Sequence, residues 1–251
     1  MLVLERQQRL LDMLRQQKAV DLDSLAQALN VSGSTVRRDL DRLEDQGLVE
    51  RTHGGAVYRG PRNHPVAFDE RLNVHIEAKK AIGQYAASLV QPNMTLLLDG
   101  GSSVYFAAER ITARPLQVVT NSLTIANLFA DDEQVDLVMI GGSLYPRTGV
   151  LVGPLATAAL AELHADLLLF STAGIFDGYA YNLNIDQAQV ERVMIQQAAR
   201  AVMLMDSSKF GRKSLARVCR LEQTEAVVTD DRISEKWQRL TGDRLIVAPS
   251  T

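Results

Sequence analysis

The sequence predicts an α/β chain in two parts, a small helical amino-terminal domain followed by a larger domain in which strands alternate with helices. Three observations predict it. Up to about Gly47, apolar residues recur every three or four positions, the spacing of helices with one buried face. Later in the chain the pattern becomes short apolar runs with helical segments between most of them, the signature of a mostly parallel sheet covered by helices. Between the two, "GPRNHP" (Gly60 to Pro65) reads as a linker. The 251 residues, 46% of them hydrophobic, suffice for one large domain or two smaller ones and can bury a real core.

Each element follows in order. Leu10, Leu11 and Leu14 mark a first helix, Leu22, Leu25 and Leu29 a second, and Val36, Leu40 and Leu43 a third. Asp21 and Ser32 stand where oxygen-bearing side chains cap the second and third, and Gly47 closes the third. Leu48 to Arg59 holds two β-prone runs around Gly54-Gly55, a small hairpin. Three helices, a tight turn between the last two, and a hairpin describe a winged helix-turn-helix, whose last helix enters the major groove of DNA. The strands of the larger domain are expected at Met94 to Asp99, Leu116 to Thr120, Val135 to Ile140, Asp166 to Phe170, Ala201 to Asp206, Ala226 to Thr229 and Arg244 to Ala248. The expected boundaries are 1–58 for the winged helix-turn-helix, 59–77 for the linker and 78–251 for the larger domain.

Composition excludes some functions. The apolar runs stop well short of the roughly 18 residues that cross a bilayer, and the amino terminus carries charges every few residues, so a cytoplasmic protein without a membrane partner is expected. The single Cys219 rules out an internal disulfide and reads as a core residue. Neither a cofactor nor a metal site is expected. The net charge is −3, unevenly spread: residues 1–62 carry ten Lys or Arg against nine Asp or Glu, and the rest seventeen against twenty-one. That weak asymmetry leaves room for a locally basic surface on the first domain.

The third helix carries positive charge at its start and negative charge afterwards. With Val36, Leu40 and Leu43 facing the core, Ser34, Thr35, Arg37 and Arg38 lie on exposed flanks of its first two turns, where base edges and phosphates are reached. Asp39, Asp41, Glu44 and Asp45 come later, available to Arg42 or to neighbouring helices. An Arg pair alone would read as a solvated helix face. Here Arg6, Leu10 and Leu14 are followed after seventeen residues by Ser32, Thr35, Val36, Arg37, Arg38, Asp39 and Leu40, and "THGGA" (Thr52 to Ala56) follows in the hairpin. Over about the first 58 residues this resembles the DeoR family of bacterial transcriptional regulators. The resemblance implies sequence-specific operator binding as a dimer or tetramer, with Ser32, Ser34, Thr35, Arg37 and Arg38 on DNA. His53 makes either a hairpin hydrogen bond or a phosphate contact.

In open α/β sheets, ligands bind at the carboxyl ends of strands. Four such ends are rich in small polar residues: Asp99-Gly100-Gly101-Ser102-Ser103, Thr120-Asn121-Ser122, Gly141-Gly142-Ser143 and Asp206-Ser207-Ser208-Lys209. Each alone is turn chemistry; their recurrence points to a pocket for a phosphorylated ligand. "LLLDGGSS", "VVTNSL", "MIGGSLY", "GVLVGPLA" and "LMDSSKFGR" resemble the effector domain of the same family, related in fold to ribose-5-phosphate isomerase. That resemblance implies that Gly100, Gly101, Ser102 and Ser103 hold a phosphate, with Asp99 also among the effector-binding residues. It puts Asn121 and Gly142 along the sugar, Lys209 as a positive charge, and Arg147 as a further phosphate neutraliser.

Two segments depart from the family pattern. "STAGIF" (Ser171 to Phe176) has Ala173 where an Asp is usual, and Asn184 to Ala188 has Gln187 where a Glu is usual. An isomerase needs a carboxylate to carry a carbon-bound proton, so these losses favour binding over turnover, with Asp177 or Asp186 as alternative carboxylates. The preferred reading is a repressor of a sugar transport or catabolism operon, controlled by a phosphorylated sugar, with residues between Arg59 and Lys80 carrying the coupling. The alternative is a phosphosugar isomerase or deaminase with an accessory DNA-binding domain. A nucleoid-type binder is a third reading, against which the ligand loops argue.

Overall fold

The computed structural model describes residues 3–17, 19–45, 49–52, 54–58 and 68–249. The chain forms two compact units, Met1–Val66 and Ala67–Thr251. The first contains α1 (Val3–Gln17), β1 (Ala19–Asp21), α2 (Leu22–Leu29), α3 (Gly33–Asp45), β2 (Val49–Arg51) and β3 (Gly55–Tyr58). Its core is the set the helical spacing selects, with Leu10, Leu14, Leu25, Val36, Leu40 and Leu43 buried and Val20, Val49 and Ala56 added from the strands. The Asp21 side chain accepts from the Ser24 amide at 2.9 Å, capping α2. Asn30, in the left-handed region at φ 52°, ends that helix and turns the chain sharply toward α3. The Ser32 hydroxyl then accepts from the Thr35 amide at 3.3 Å.

The hairpin has a third strand that the sequence does not announce. β1 pairs antiparallel with β3, giving the order β1-β3-β2. Three residues between two helices are too few to show an alternation. The second glycine of the pair belongs to this contact: a Cβ on Gly55 would lie 2.0 Å from the Val20 carbonyl oxygen. Gly47, expected to close α3, and His53 lie outside the described residues.

The second unit opens with α4 (Phe68–Leu72) and α5 (Ile76–Ser88), followed by β4 (Thr95–Leu98), α6 (Ser102–Ala108), β5 (Leu116–Thr120), α7 (Leu123–Phe129) and β6 (Val135–Met139). A hairpin of β7 (Ser143–Tyr145) and β8 (Val150–Val152) leads into α8 (Pro154–Ala161) and β9 (Ala165–Phe170). Then come β10 (Gly174–Phe176), β11 (Tyr179–Asn182), α9 (Ile185–Gln197), β12 (Ala198–Leu204), β13 (Ala216–Arg220), β14 (Ala226–Thr229), α10 (Glu235–Thr241) and β15 (Leu245–Val247). The seven apolar runs expected as strands form one parallel sheet in the order β15-β14-β12-β9-β4-β5-β6. β10, β11 and β13 make a separate antiparallel sheet that the sequence left unassigned.

Both faces of the main sheet are covered, which is why its strands read as continuous apolar runs. Leu97, Leu168 and Met203 face one cluster, with Ala156 and Leu160 of α8 and Ala188, Val190 and Met194 of α9. Their neighbours Leu96, Leu98, Leu167, Leu169 and Val202 face the other, against Ile82 of α5, Val104 of α6 and Phe129 of α7. The described part of the expected linker 59–77 is not extended chain. Residues 68–77 hold α4 and the start of α5 because Phe68 is buried, its ring edge-on to Tyr105 at 5.9 Å.

The strand order creates a switch point. From β4 the chain adds β5 and β6 on one side, then returns to place β9, β12, β14 and β15 on the other. The carboxyl ends of β4 and β9 therefore lead their loops in opposite directions, and the crevice between them is where such sheets bind ligands.

Candidate functional site

On α3, Ser34, Arg37 and Arg38 are exposed and Thr35 is half-buried. The Ser32 hydroxyl, just before the helix, lies 2.9 Å from that of Ser34 and 2.8 Å from that of Thr35, so three hydroxyls cluster at the helix start. Three of the acidic residues, Asp39, Asp41 and Glu44, are engaged within the unit. Asp39 is buried and takes Arg6 Nε at 2.5 Å, Arg6 Nη2 at 3.2 Å and Gln7 Nε2 at 3.3 Å, locking α3 to α1. Asp41 pairs with Arg51 of β2, whose amide donates to Glu44 at 2.9 Å. These bonds leave the exposed guanidinium groups of Arg37 and Arg38 as the charge presented by the first turns of the helix.

In the second unit, polar side chains converge on the switch point. Asp99, directly after β4, is fully buried; its Oδ2 accepts from the Ser171 amide after β9 at 3.5 Å, and its Oδ1 has no protein partner. Burial pushes this carboxyl up to about 6, against the Gly100 and Ser171 amides and the cations Arg71 and Lys209. Gly100 and Gly101 are required by close approach: added Cβ atoms would lie 2.0 Å from Val150 Cγ1 and 2.7 Å from Ser171 Cβ. Ser102 and Ser103 open α6 and are buried, and the Ser103 hydroxyl has no protein partner.

Lys209 stands in a 3₁₀ turn, Ser207–Lys209, capped by the Asp206 carboxylate accepting from the Ser208 amide at 3.2 Å. Its ammonium donates to the Ser171 hydroxyl and the Thr172 carbonyl, each at 3.0 Å. Burial lowers the Lys209 ammonium from its ordinary value against the attraction of Asp206. Burial would raise Asp206, but Lys209 and the Ser208 hydrogen bond hold it below the ordinary carboxylate range. Asn121, after β5, donates from Nδ2 to the Leu151 carbonyl at 3.1 Å and leaves Oδ1 without a protein partner.

Two expected residues have other placements. Gly142 lies past β6, two strands from β4, and its φ of 150° with the Val152 carbonyl 2.7 Å from an added Cβ explains the glycine by packing. Arg147 is exposed on the β7–β8 turn, its carbonyl accepting from the Phe68 amide at 3.0 Å.

The guanidinium that the cluster buries is that of Arg71, on α4, with Nε and Nη2 lacking any protein partner. Burial lowers its pKa against the attraction of Asp99 and Glu191. Sequence reasoning missed it because it fell within the presumed linker; the Phe68, Arg71, Leu72 spacing was the available signal. Lys79 on α5 is also buried, bonding the Arg71 carbonyl and, at 2.6 Å, the Val74 carbonyl. Burial, with Lys209, brings its ammonium down to about 8.

Glu191 was missed too. It stands one helical turn after Gln187 and restores a carboxylate where Gln187 departs from the family pattern. Its Oε1 accepts from Asn182 Nδ2 at 2.5 Å and Gln187 Nε2 at 3.3 Å, and its Oε2 has no protein partner. Burial and the neighbouring Asp99 raise it well above the ordinary range. Asp177, in the left-handed region on the β10–β11 turn, and Asp186, in the first turn of α9, are exposed and supply no carboxylate here. Cys219 is a core residue whose thiol burial pushes up to about 12.

A surface cavity of about 550 Å³ opens elsewhere, past β14 and β15, lined by His75, Asp230 and Arg232 among others. There Asp230 is satisfied by the Ser207 amide and hydroxyl at 2.6 and 2.9 Å and by Arg232 at 3.0 Å. The switch-point cluster differs in having several buried polar atoms that the protein leaves unpaired. Among the described residues no helix is long and apolar enough to cross a membrane.

Comparison with known proteins agrees with both halves. Residues 6–61 match a DeoR-like helix-turn-helix domain and residues 74–231 the DeoR C terminal sensor domain. The L-fucose operon activator of Escherichia coli is 32% identical over 230 residues, covering 90% of this chain and 95% of that protein. The transcriptional repressor GlcR of Bacillus subtilis is 31% identical, covering 90% and 88%. The lactose phosphotransferase system repressor of Staphylococcus epidermidis is 29% identical, covering 88% and 90%. Among solved structures, ribose 5-phosphate isomerase A of Methanocaldococcus jannaschii aligns at 17% identity over 53% of each chain with a TM-score of 0.37. With an amino-terminal helix-turn-helix, a carboxy-terminal sensor domain and relatives matched along nearly their whole length, the chain belongs to the DeoR family of DNA-binding, sugar-responsive transcriptional regulators.

Proposed function

We propose that this regulator is a cytoplasmic homo-oligomer that represses a sugar transport or catabolism operon and leaves its operator when a phosphorylated sugar binds the second unit. The observation that carries this reading is the buried switch-point cluster. It combines the cations Arg71 and Lys209 with the unpaired acceptors Asp99 Oδ1, Asn121 Oδ1 and Glu191 Oε2. Cations suit a phosphate, and unpaired carboxyl and amide oxygens suit the hydroxyls of the attached sugar, which donate or accept. Ser102 and Ser103 complete the anion end. Gly142 and Arg147 are left out of this set because Gly142 is accounted for by packing on Val152 and the Arg147 side chain is exposed.

DNA is read by Ser32, Ser34, Thr35, Arg37 and Arg38, with His53 a further contact of the hairpin. Release is a matter of linkage: the sugar lowers operator affinity only by the ratio of its affinities for the free and DNA-bound protein. A hundredfold ratio corresponds to about 2.7 kcal/mol. The relatives include both repressors and an activator, so the sign of regulation is the part of this reading furthest from their shared chemistry.

The isomerase reading has its own observation, the buried pair of Asp99 and Glu191 with raised pKa values. Both carboxyls are accounted for as hydrogen-bond partners of sugar hydroxyls, which can donate or accept, and no turnover is proposed. One experiment separates the two. Fluorescence anisotropy of DNA flanking the coding region is titrated with protein at fixed salt, with sugar phosphates and their free sugars present in turn. Selective binding reversed by one sugar phosphate but not its free sugar is expected. Conversion of that sugar phosphate by the folded protein, without selective DNA binding, would overturn the proposal.

A further inference from the structure

We propose that the sensor unit carries a DNA-contacting surface of its own, a basic face on the antiparallel sheet β10-β11-β13 that holds phosphates of the duplex flanking the operator. The inference stands on the geometry of that sheet and is independent of the effector reading.

A bulge builds the face. β11 and β13 run antiparallel, with Tyr179 opposite Arg220 and Tyr181 opposite Arg217, so β13 carries one residue more than β11 between those pairs. In a regular strand, residues three apart point to opposite faces. Here Arg217 and Arg220 are both exposed, and Val218 and Cys219 between them are both buried. Both guanidinium groups therefore reach the same ring, lying 4.5 and 5.3 Å from the centre of Tyr179. Stacking on a ring orients a guanidinium while its N–H groups remain available to an anion. Phe176 of β10 stands directly opposite Tyr179, and the exposed Lys213 lies 5.9 Å from its ring centre. Arg192 of α9 joins the group, donating to the Arg217 carbonyl and, at 2.8 Å, to the Gln189 side chain.

No carboxylate neutralises these charges. Elsewhere in the unit Arg114 pairs with Asp132 and Arg200 with Glu225, each at 2.7 Å, and Arg239 with Glu235 at 3.2 Å. Among the described residues, Arg192, Lys213, Arg217 and Arg220 form no ion pair, although Asp177 and Glu222 are exposed on turns of the same region. Residues 63–251 carry seventeen Lys or Arg against twenty-one Asp or Glu, so this gathering runs against the charge of the unit as a whole. Like charges held together repel one another until an anion lies across them.

The partner that fits is anionic along its length and already at hand. Guanidinium groups take phosphate oxygens in pairs, and duplex DNA presents phosphates in a continuous row. A regulator of this family holds an operator through its other unit, so flanking duplex is present at high effective concentration and weak contacts suffice. Contacts of this kind add affinity and salt dependence without sequence preference.

The test uses the full-length protein and two duplexes, the footprinted operator alone and the same operator with about 20 base pairs, two helical turns, of flank on each side. Wild type is expected to bind the longer duplex more tightly, with a salt slope steeper by about one for each phosphate held. Arg217→Ala/Arg220→Ala is expected to lose about tenfold on the longer duplex and most of the extra slope, while binding the shorter duplex like wild type. Arg217→Lys/Arg220→Lys keeps the charge and should retain most of that slope. Arg200→Gln/Arg239→Gln removes two charges elsewhere on the unit and should leave both duplexes bound as before. Trp237 fluorescence melting checks that each variant is folded. Equal affinity and slope of wild type on the two duplexes overturns the proposal whatever the variants do. An alanine variant that matches wild type on the longer duplex, or loses equally on both, also overturns it. A sedimentation coefficient that falls in the alanine variant without DNA assigns the face to a second copy of the chain instead.

Discussion

Asp99 is buried behind β4 with one oxygen on the Ser171 amide and the other unpaired, and burial lifts its carboxyl to about 6. In the unfolded chain the same group titrates near 3.8. Between those values the folded protein binds the extra proton, so stability is greatest at the acid side of the window and falls as pH rises through it. The share of Asp99 is about 3 kcal/mol at most. Urea midpoints measured from pH 4 to 7 are expected to fall less steeply in Asp99→Asn than in wild type; parallel profiles would place the titration on another group. Asp99, Gly100, Gly101, Asn121 and Lys209 were legible in the sequence because each follows an apolar run, and the end of a strand is where a parallel sheet exposes polar groups. Arg71 and Glu191 were not, because tertiary packing delivers them. One sits on a helix hidden in an apparent linker, and the other reaches the site a full turn beyond the position where a carboxylate was sought.

At the scale of elements, α3 is the proposed unit of DNA recognition, and its bonds to α1 and β2 explain its charge pattern. Asp39 ties it to α1, and Asp41 and Glu44 tie it to β2, so the acidic side chains hold the wing and the helix together. Arg37→Ala and Arg38→Ala are each expected to weaken operator binding by about 1–3 kcal/mol if they read a base, or to reduce the salt slope by about one if they hold a phosphate. The fold should be unchanged, since both side chains are exposed. Anisotropy titrations at several salt concentrations distinguish these outcomes, and variants that bind like wild type would move recognition off this helix. Elements with an apolar signal were legible: three helices with a buried stripe and the seven strands of the main sheet. β1, β7, β8 and β10 were not, because each is three residues long and lies outside the main sheet's apolar runs.

At the scale of the molecule, each unit closes its own core. The single tryptophan, Trp237, packs against Phe210 in the sensor unit at 5.6 Å between ring centres. Its fluorescence therefore follows the unfolding of that unit, whereas far-ultraviolet circular dichroism follows both. The effector is expected to raise the fluorescence midpoint while the component of the dichroism seen only in the DNA-binding unit stays in place; a shift of both together would mean that the units unfold as one. The unpaired polar atoms at the switch point give this linkage a physiological side. Effector at a hundred times its Kd adds about 2.7 kcal/mol to the stability of what it binds, and proteases in the cell degrade the unfolded fraction. The fluorescence shift is thus also a measure of lifetime. On the proposed reading, a regulator protected by the sugar that releases it accumulates while the sugar lasts, and is most plentiful when it returns to its operator.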